Sequence, residues 1–231
     1  MTLGIMQPYF MPYIGYWQLM AAVDKYVVYD NIEYTKKGWI NRNRILQNGK
    51  DEYITLPLKK DSDYLNVNQR FLSDAFDRNK LMRQIEGAYR KAPYFRDVFP
   101  VMADIIGHDD NNLFQYLYYS ITKIRNYLGI TSEFIISSSL SIDWALKGKD
   151  KVLALCKALG ADAYYNAIGG QSLYDKQEFL QNGINLYFLQ ANDIRYPQFH
   201  NDFVANLSII DVLMFNSPEQ TQQLLTQFTL V

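Results

Sequence analysis

The densest run of reactive side chains lies at residues 34–44, where Lys36, Lys37, Arg42 and Arg44 fall within nine residues, with Trp39, Asn41 and Asn43 among them. Guanidinium groups suit phosphate or carboxylate oxygens because they can donate two hydrogen bonds at once. An indole beside them offers a flat face to a base or a sugar ring. A second run, residues 7–15, holds Gln7, Tyr9, Tyr13 and Gly15. Gly15 has no Cβ, so a ligand could approach the backbone closely there. Tyrosines stand at positions 9, 13, 16, 29 and 34. A phenol needs a partner when buried, so this many suit a half-wet cleft, while Phe10 and Trp17 read as core. A third run, residues 167–175, carries Gly169, Gly170, Ser172 and Tyr174. Asp30 and His200 each lie just past an expected strand and are the candidate proton acceptors.

These groups need elements to hold them. Residues 3–6 form a short apolar run that reads as a buried strand, broken by Gln7, Pro8 and Pro12. Over residues 13–23, Ile14, Trp17, Leu19, Met20 and Val23 recur at helical spacing, and residues 26–29 are a second strand. Strand, loop, helix, strand is the unit of parallel α/β sheets, whose ligands sit past the carboxyl ends of the strands. Residues 133–136, 149–159 and 163–166 repeat the unit, and residues 185–189 add a strand. Gly169-Gly170 then reads as a turn entering a helix, an anion-binding layout. A hairpin is expected across Asn48-Gly49, a short strand at 66–71, and a polar loop at 59–63 whose lysines could extend a phosphate site. The serines at 137–139 could hold ligand oxygens or cap the next helix. The pattern at 75–129 is helical, with a break at Pro100. The expected fold is therefore a three-layer α/β domain with a mostly parallel, Rossmann-like sheet. Residues 1–74 and 130–231 build it, and 75–129 form a helical insertion.

Composition narrows the function. The chain has 231 residues, 48% of them hydrophobic and 15% aromatic, with a net charge of −1. That balance gives no global basic field for nucleic acid, so the local cluster suits a small phosphorylated ligand better. The single cysteine, Cys156, lies in an apolar helical run and reads as core; it permits no intramolecular disulfide, which fits a reducing, cytoplasmic setting. No apolar run approaches membrane-spanning length, and no basic leader precedes the first strand. His108 with Asp109 and Asp110 reads as a turn rather than a metal site, and no metal or cofactor is assigned. Asp211 lies inside an apolar helix and is expected to anchor one of the arginines.

The words MQPYFMPYIGYWQL, DKYVVYDNIEYTKKGWINRNRIL, YNAIGGQSLYDKQEF and LSIIDVLMFNS resemble the WbqC-like proteins of bacterial surface-polysaccharide gene clusters, over essentially the whole chain. The resemblance implies a bacterial protein connected with O-antigen or related lipopolysaccharide precursors, adding an acyl or aminoacyl group to an amino sugar. The front of the chain is also similar to the HxGH nucleotidylyltransferases, with Tyr13-Ile14-Gly15-Tyr16 where that family has His-x-Gly-His. Neutral tyrosines cannot supply a cationic imidazole, so this second likeness implies the fold and a nucleotide-shaped cleft rather than nucleotidyl transfer.

Together these imply one cleft at the sheet's carboxyl edge and a transferase for a nucleotide-linked sugar. Lys37, Arg42 and Arg44 would hold phosphates. Gln7 and the Gly169–Gly170 amides would orient the acceptor, with Tyr9, Tyr13, Asn41, Ser172 and Tyr174 lining the cleft. Asp30 or His200 would take the proton of an attacking amine. The rival readings are a nucleotidylyltransferase-like enzyme and a non-catalytic sugar-nucleotide binding or assembly protein.

Overall fold

The structure is a computed structural model that describes residues 1–62, 64–200 and 202–231; Asp63, at the end of the expected polar loop, lies outside them. The chain opens with β1 (Thr2–Met6), α1 (Ile14–Ala21) and β2 (Lys25–Val28). β3 (Arg42–Gln47) and β4 (Lys50–Thr55) follow, then α2 (Arg78–Tyr89), α3 (Phe95–Gly107) and α4 (Leu113–Tyr127). The remainder is β5 (Glu133–Ile136), α5 (Gly148–Leu159), β6 (Ala163–Ala167), α6 (Lys176–Gln181), β7 (Asn185–Ala191), α7 (Ile209–Phe215), α8 (Pro218–Leu225) and β8 (Phe228–Leu230). The six-stranded sheet runs β5-β2-β1-β6-β7-β8, parallel except for β8.

Alternating residues along the strands face two cores. Leu3, Ile5 and Val27 pack with α5, α6 and Phe188 on one face. Tyr26 and Val28 pack with α1, α7 and α8 on the other. This is the mostly parallel three-layer sheet of the sequence reading. α1 is buried all round, because Gln18, fully enclosed, donates to Leu224 O at 2.8 Å and Gln227 O at 2.9 Å and so stitches α1 to the end of α8. The hairpin turns on Asn48 (φ 52°) and Gly49 (φ 75°), the left-handed pair of a type I′ turn. Helices α2, α3 and α4 bury Ile85, Met102 and Ile121 in the same core as α1 and the hairpin.

Several local expectations need correction. Residues 66–71 form no strand: Asn66 and Gln69 make a reciprocal capping box around a short 3-10 turn, Val67–Gln69. α3 runs unbroken through Pro100, because Val98, Met102, Ile105 and Ile106 are all buried along its inner face and outweigh one lost backbone bond. Residues 133–136, which read as a buried strand in their apolar run, form a β5 that is only half-buried because it is the sheet's edge, where Lys25 pairs with Glu133 at 3.2 Å. The glycine pair does not run into a helix. It lies in a 3-10 turn (Ile168–Leu173), and Asp175 caps α6 beyond it by accepting from Glu178 N at 2.9 Å. Among the described residues Asp211 meets no arginine. It accepts from Tyr89 Oη at 2.9 Å, Tyr196 Oη at 2.8 Å and Gln198 Nε2 at 2.6 Å, joining α2, the segment that carries Tyr196 and Gln198, and α7. No helix among the described residues is long and apolar enough to cross a membrane.

Candidate functional site

Strands β1, β2, β5, β6 and β7 present their carboxyl ends on one edge. From β1 the chain adds strands outward to β2 and β5, then returns to place β6 on the other side of β1. The switch point thus lies between β1 and β6, where open α/β sheets take their ligands. The loops emerging there carry most of the sequence-identified residues.

The loop after β1 is pinned from two distant segments. Phe10 N donates to Trp39 O at 3.2 Å and Ile40 O at 3.1 Å. The buried Asn43 amide donates to Phe10 O at 3.1 Å and Met11 O at 2.9 Å, and Ser208 Oγ donates to Met11 O at 2.7 Å. These bonds hold Met11 at φ 44°, a strained value for a side chain with a Cβ. They bring Tyr9, Pro12 and Tyr13 against Trp39, Asn43, Arg44 and Asn206 around a recess of about 380 Å³. Burial raises the pKa of the Tyr9 phenol, with Tyr13 adding to it, and burial does the same to Tyr13. Both therefore stay neutral hydroxyls near pH 7. Arg44 pairs with Asp51 at 2.9 Å, reaches Asn206 O at 3.4 Å and lies 5.6 Å from the Trp39 ring centre. Its Nε is buried and has no hydrogen-bond partner among the described residues, as is also true of Arg70 and Arg125.

The other sequence-identified residues go elsewhere. A Cβ on Gly15 would overlap the Tyr13 ring, so this glycine makes room for Tyr13 and offers no open backbone: the expected ligand approach is corrected. Arg42 donates Nε to Gly38 O at 3.1 Å and Nη2 to Lys37 O, and stacks 4.9 Å over Tyr53. It braces the turn that carries the exposed Lys37 (φ 61°). Asn41 is buried, accepts from Tyr34 Oη at 2.9 Å and donates to Leu56 O at 2.8 Å. Gln7, half-buried, accepts at its carbonyl from Tyr16 Oη at 3.1 Å.

Asp30 is 2% exposed. It accepts from Ser137 Oγ at 2.7 Å, Ser138 N at 2.9 Å and Asn68 Nδ2 at 2.9 Å. Its carboxylate ties the ends of β2 and β5, which also settles what Ser137 does. His200 lines a separate groove of about 810 Å³ between the hairpin turn and the end of α2, with none of the other sequence-identified residues. Gly169 and Ser172 are exposed on the turn after β6, and a Cβ on Gly170 would overlap Asn166 Nδ2. Tyr174 enters a second recess, of about 510 Å³, with Tyr29, Trp144, Lys147 and Lys151.

The structure thus gathers Tyr9, Tyr13 and Arg44 in one recess and separates Tyr174 and His200 from them. Asn206, Trp144, Lys147 and Lys151 escaped the sequence reading. Trp144 and Lys147 lie in the non-helical stretch before α5 and Lys151 in its first turn, and neither they nor Asn206 carry a sequence sign of the recess.

A profile of the WbqC-like protein family matches residues 7–223, from the loop after β1 to α8. The chain belongs to the WbqC-like family. It is also similar to the uncharacterized protein Rv1507c of Mycobacterium tuberculosis (strain ATCC 25618 / H37Rv), 28% identical over 216 residues, which cover 92% of each chain. No solved structure matches significantly. The family match takes in both recesses.

Proposed function

We propose that this protein is a transferase acting on a nucleotide-linked sugar, adding an acyl or aminoacyl group to an amino sugar of a surface-polysaccharide precursor. One observation carries the reading: Tyr9, Tyr13 and Trp39 wall a recess that Arg44 also lines. Sugar C–H faces pack on aromatic rings. Neutral phenols and the Asn206 amide offer hydrogen bonds to hydroxyls, and Arg44 offers one to a phosphate or carboxylate. About 380 Å³ suits a single sugar ring better than a whole nucleotide-sugar. Family membership supports the substrate class.

In the transfer, the amine nitrogen bonds to the donor's acyl carbon. The bond from that carbon to its leaving heteroatom breaks, and an amine proton passes to that heteroatom. The recess contributes orientation, the effect on which a direct transfer depends. A non-catalytic sugar-nucleotide binding protein is the second reading. It is favoured by one observation: Asp30 is fully engaged in the scaffold and His200 stands in another groove.

The test is thermal denaturation with UDP- and dTDP-amino sugars, free sugars, ATP and CTP. A sugar-nucleotide at about 100 times its dissociation constant raises stability by about 2.7 kcal/mol. That gain should be lost in Trp39→Ala. Silence towards every sugar and sugar-nucleotide removes the proposal. Binding without turnover of any acyl donor leaves the binding protein.

A further inference from the structure

We propose that the second recess is a separate binding site for a nucleoside phosphate, with the ring held by Tyr29, Trp144 and Tyr174 and the phosphate by Lys147 and Lys151. The recess opens past the carboxyl ends of β2 and β6 at the start of α5, on the α5–α6 face of the sheet. The first recess packs on the α1 face, and the two share no lining residue.

The chemistry points to a planar anionic ligand. Tyr29 and Tyr174 are half-buried phenols whose pKa values burial raises, Tyr29 to about 12, so both present neutral rings. Lys151 Nζ lies 5.8 Å from the Tyr29 ring centre and 5.5 Å from that of Trp144. Some lysines meet carboxylates: Lys149, on α5 beside Lys151, pairs with Glu178 at 2.6 Å, Lys123 with Asp104 at 2.7 Å and Lys59 with Asp74 at 2.9 Å. Lys147 and Lys151 have no such pair among the described residues. Glu33 also lines the recess, so two ammonium groups face one carboxylate. Two cations beside three rings are what a base and its phosphate need. The volume of about 510 Å³ suits a nucleoside phosphate. α5 begins at the recess with Gly148 at φ 51°, and its N-cap Lys147 makes no side-chain cap bond, while Asp150 stands in the first turn, so the helix start itself adds little for an anion.

The three tryptophans make the proposal testable independently of the first recess. Trp17 is fully enclosed, Trp39 lines the first recess and Trp144 the second. In Trp39→Phe protein, titration with UDP, dTDP and ATP should change the Trp144 fluorescence saturably. Uridine and inorganic pyrophosphate should each bind about tenfold more weakly or worse, having lost either phosphate or ring. Lys147→Met with Lys151→Met should raise the dissociation constant by about tenfold or more while keeping the aliphatic stems and the wild-type melting temperature. If the pair fails to fold, the exposed Lys147→Met alone must raise it.

No Trp144 response to any nucleoside phosphate at millimolar concentration overturns the proposal. So does an unchanged constant in the lysine variants, or pyrophosphate binding as tightly as UDP. A response seen only in Trp144→Phe protein, where Trp39 reports, also overturns it while leaving the sugar site intact.

Discussion

Acid should stabilise this protein through Asp211. The side chain is fully enclosed, and burial raises its pKa from 3.8 to about 6 against the opposing pull of its three donors, Tyr196, Gln198 and Tyr89. The native group therefore takes up a proton at a higher pH than the unfolded chain does. Its contribution is full below the unfolded value and is lost as pH rises through the folded one. A shift of roughly two units is worth about 3 kcal/mol in total. Integrated from pH 7 to pH 5, the gain is about 1.3 kcal/mol. For a chain of this size that is about 3–5 °C in melting temperature. The assay is thermal unfolding across this range for wild type and Asp211→Asn. The variant keeps the shape and cannot titrate, so the difference between the curves cancels the other carboxylates. Wild type should gain on the variant as pH falls. Parallel curves would refute the argument. A wild type that loses ground on acidification would show that Tyr89, Tyr196 and Gln198 outweigh burial.

Gly15→Ala should displace the Tyr13 ring and cost about 1–3 kcal/mol, read by denaturant unfolding, with weakened sugar binding beside it. Ser137→Ala removes a hydrogen bond to the enclosed Asp30 carboxylate and should cost about 1.5–3 kcal/mol; a neutral result would deny Asp30 its clamping role. Cys156 is buried, and burial pushes its thiol up to about 12, so thiol reagents should label it at the rate of global opening and no faster.

The sheet was legible because its signals are local. Leu3 and Ile5 are followed by two prolines, and Gly129, Gly160 and the Asn48–Gly49 pair all stand at left-handed turns. What escaped depended on remote partners. β8 is three residues long and exists because β7 has a free edge to pair with. The space that Gly15 leaves is evident from its type, but not that Tyr13 fills it. Arg42 and Arg44 look alike in the sequence, yet Arg42 commits its donors to carbonyls of its own turn while Arg44 keeps one in reserve. Asn206 reaches the first recess from a segment whose sequence carries no sign of it.

The hydrogen bond from Ser208 to Met11 spans 197 positions, and those from Gln18 to Leu224 and Gln227 span 206 and 209. On the ribosome, the front of the chain emerges long before these partners exist. Its aromatic loop can gain the bonds from residues 39–43 early, but must wait for Ser208 through the making of nearly the whole protein. Closure of the first recess is thus among the last events of folding, and chains cut short before α7 would leave Tyr9, Tyr13 and Trp39 as an open apolar patch. Such a nascent chain is a natural client for holding chaperones, and a slow final step set by long-range closure should separate the appearance of helix signal from the appearance of ligand binding.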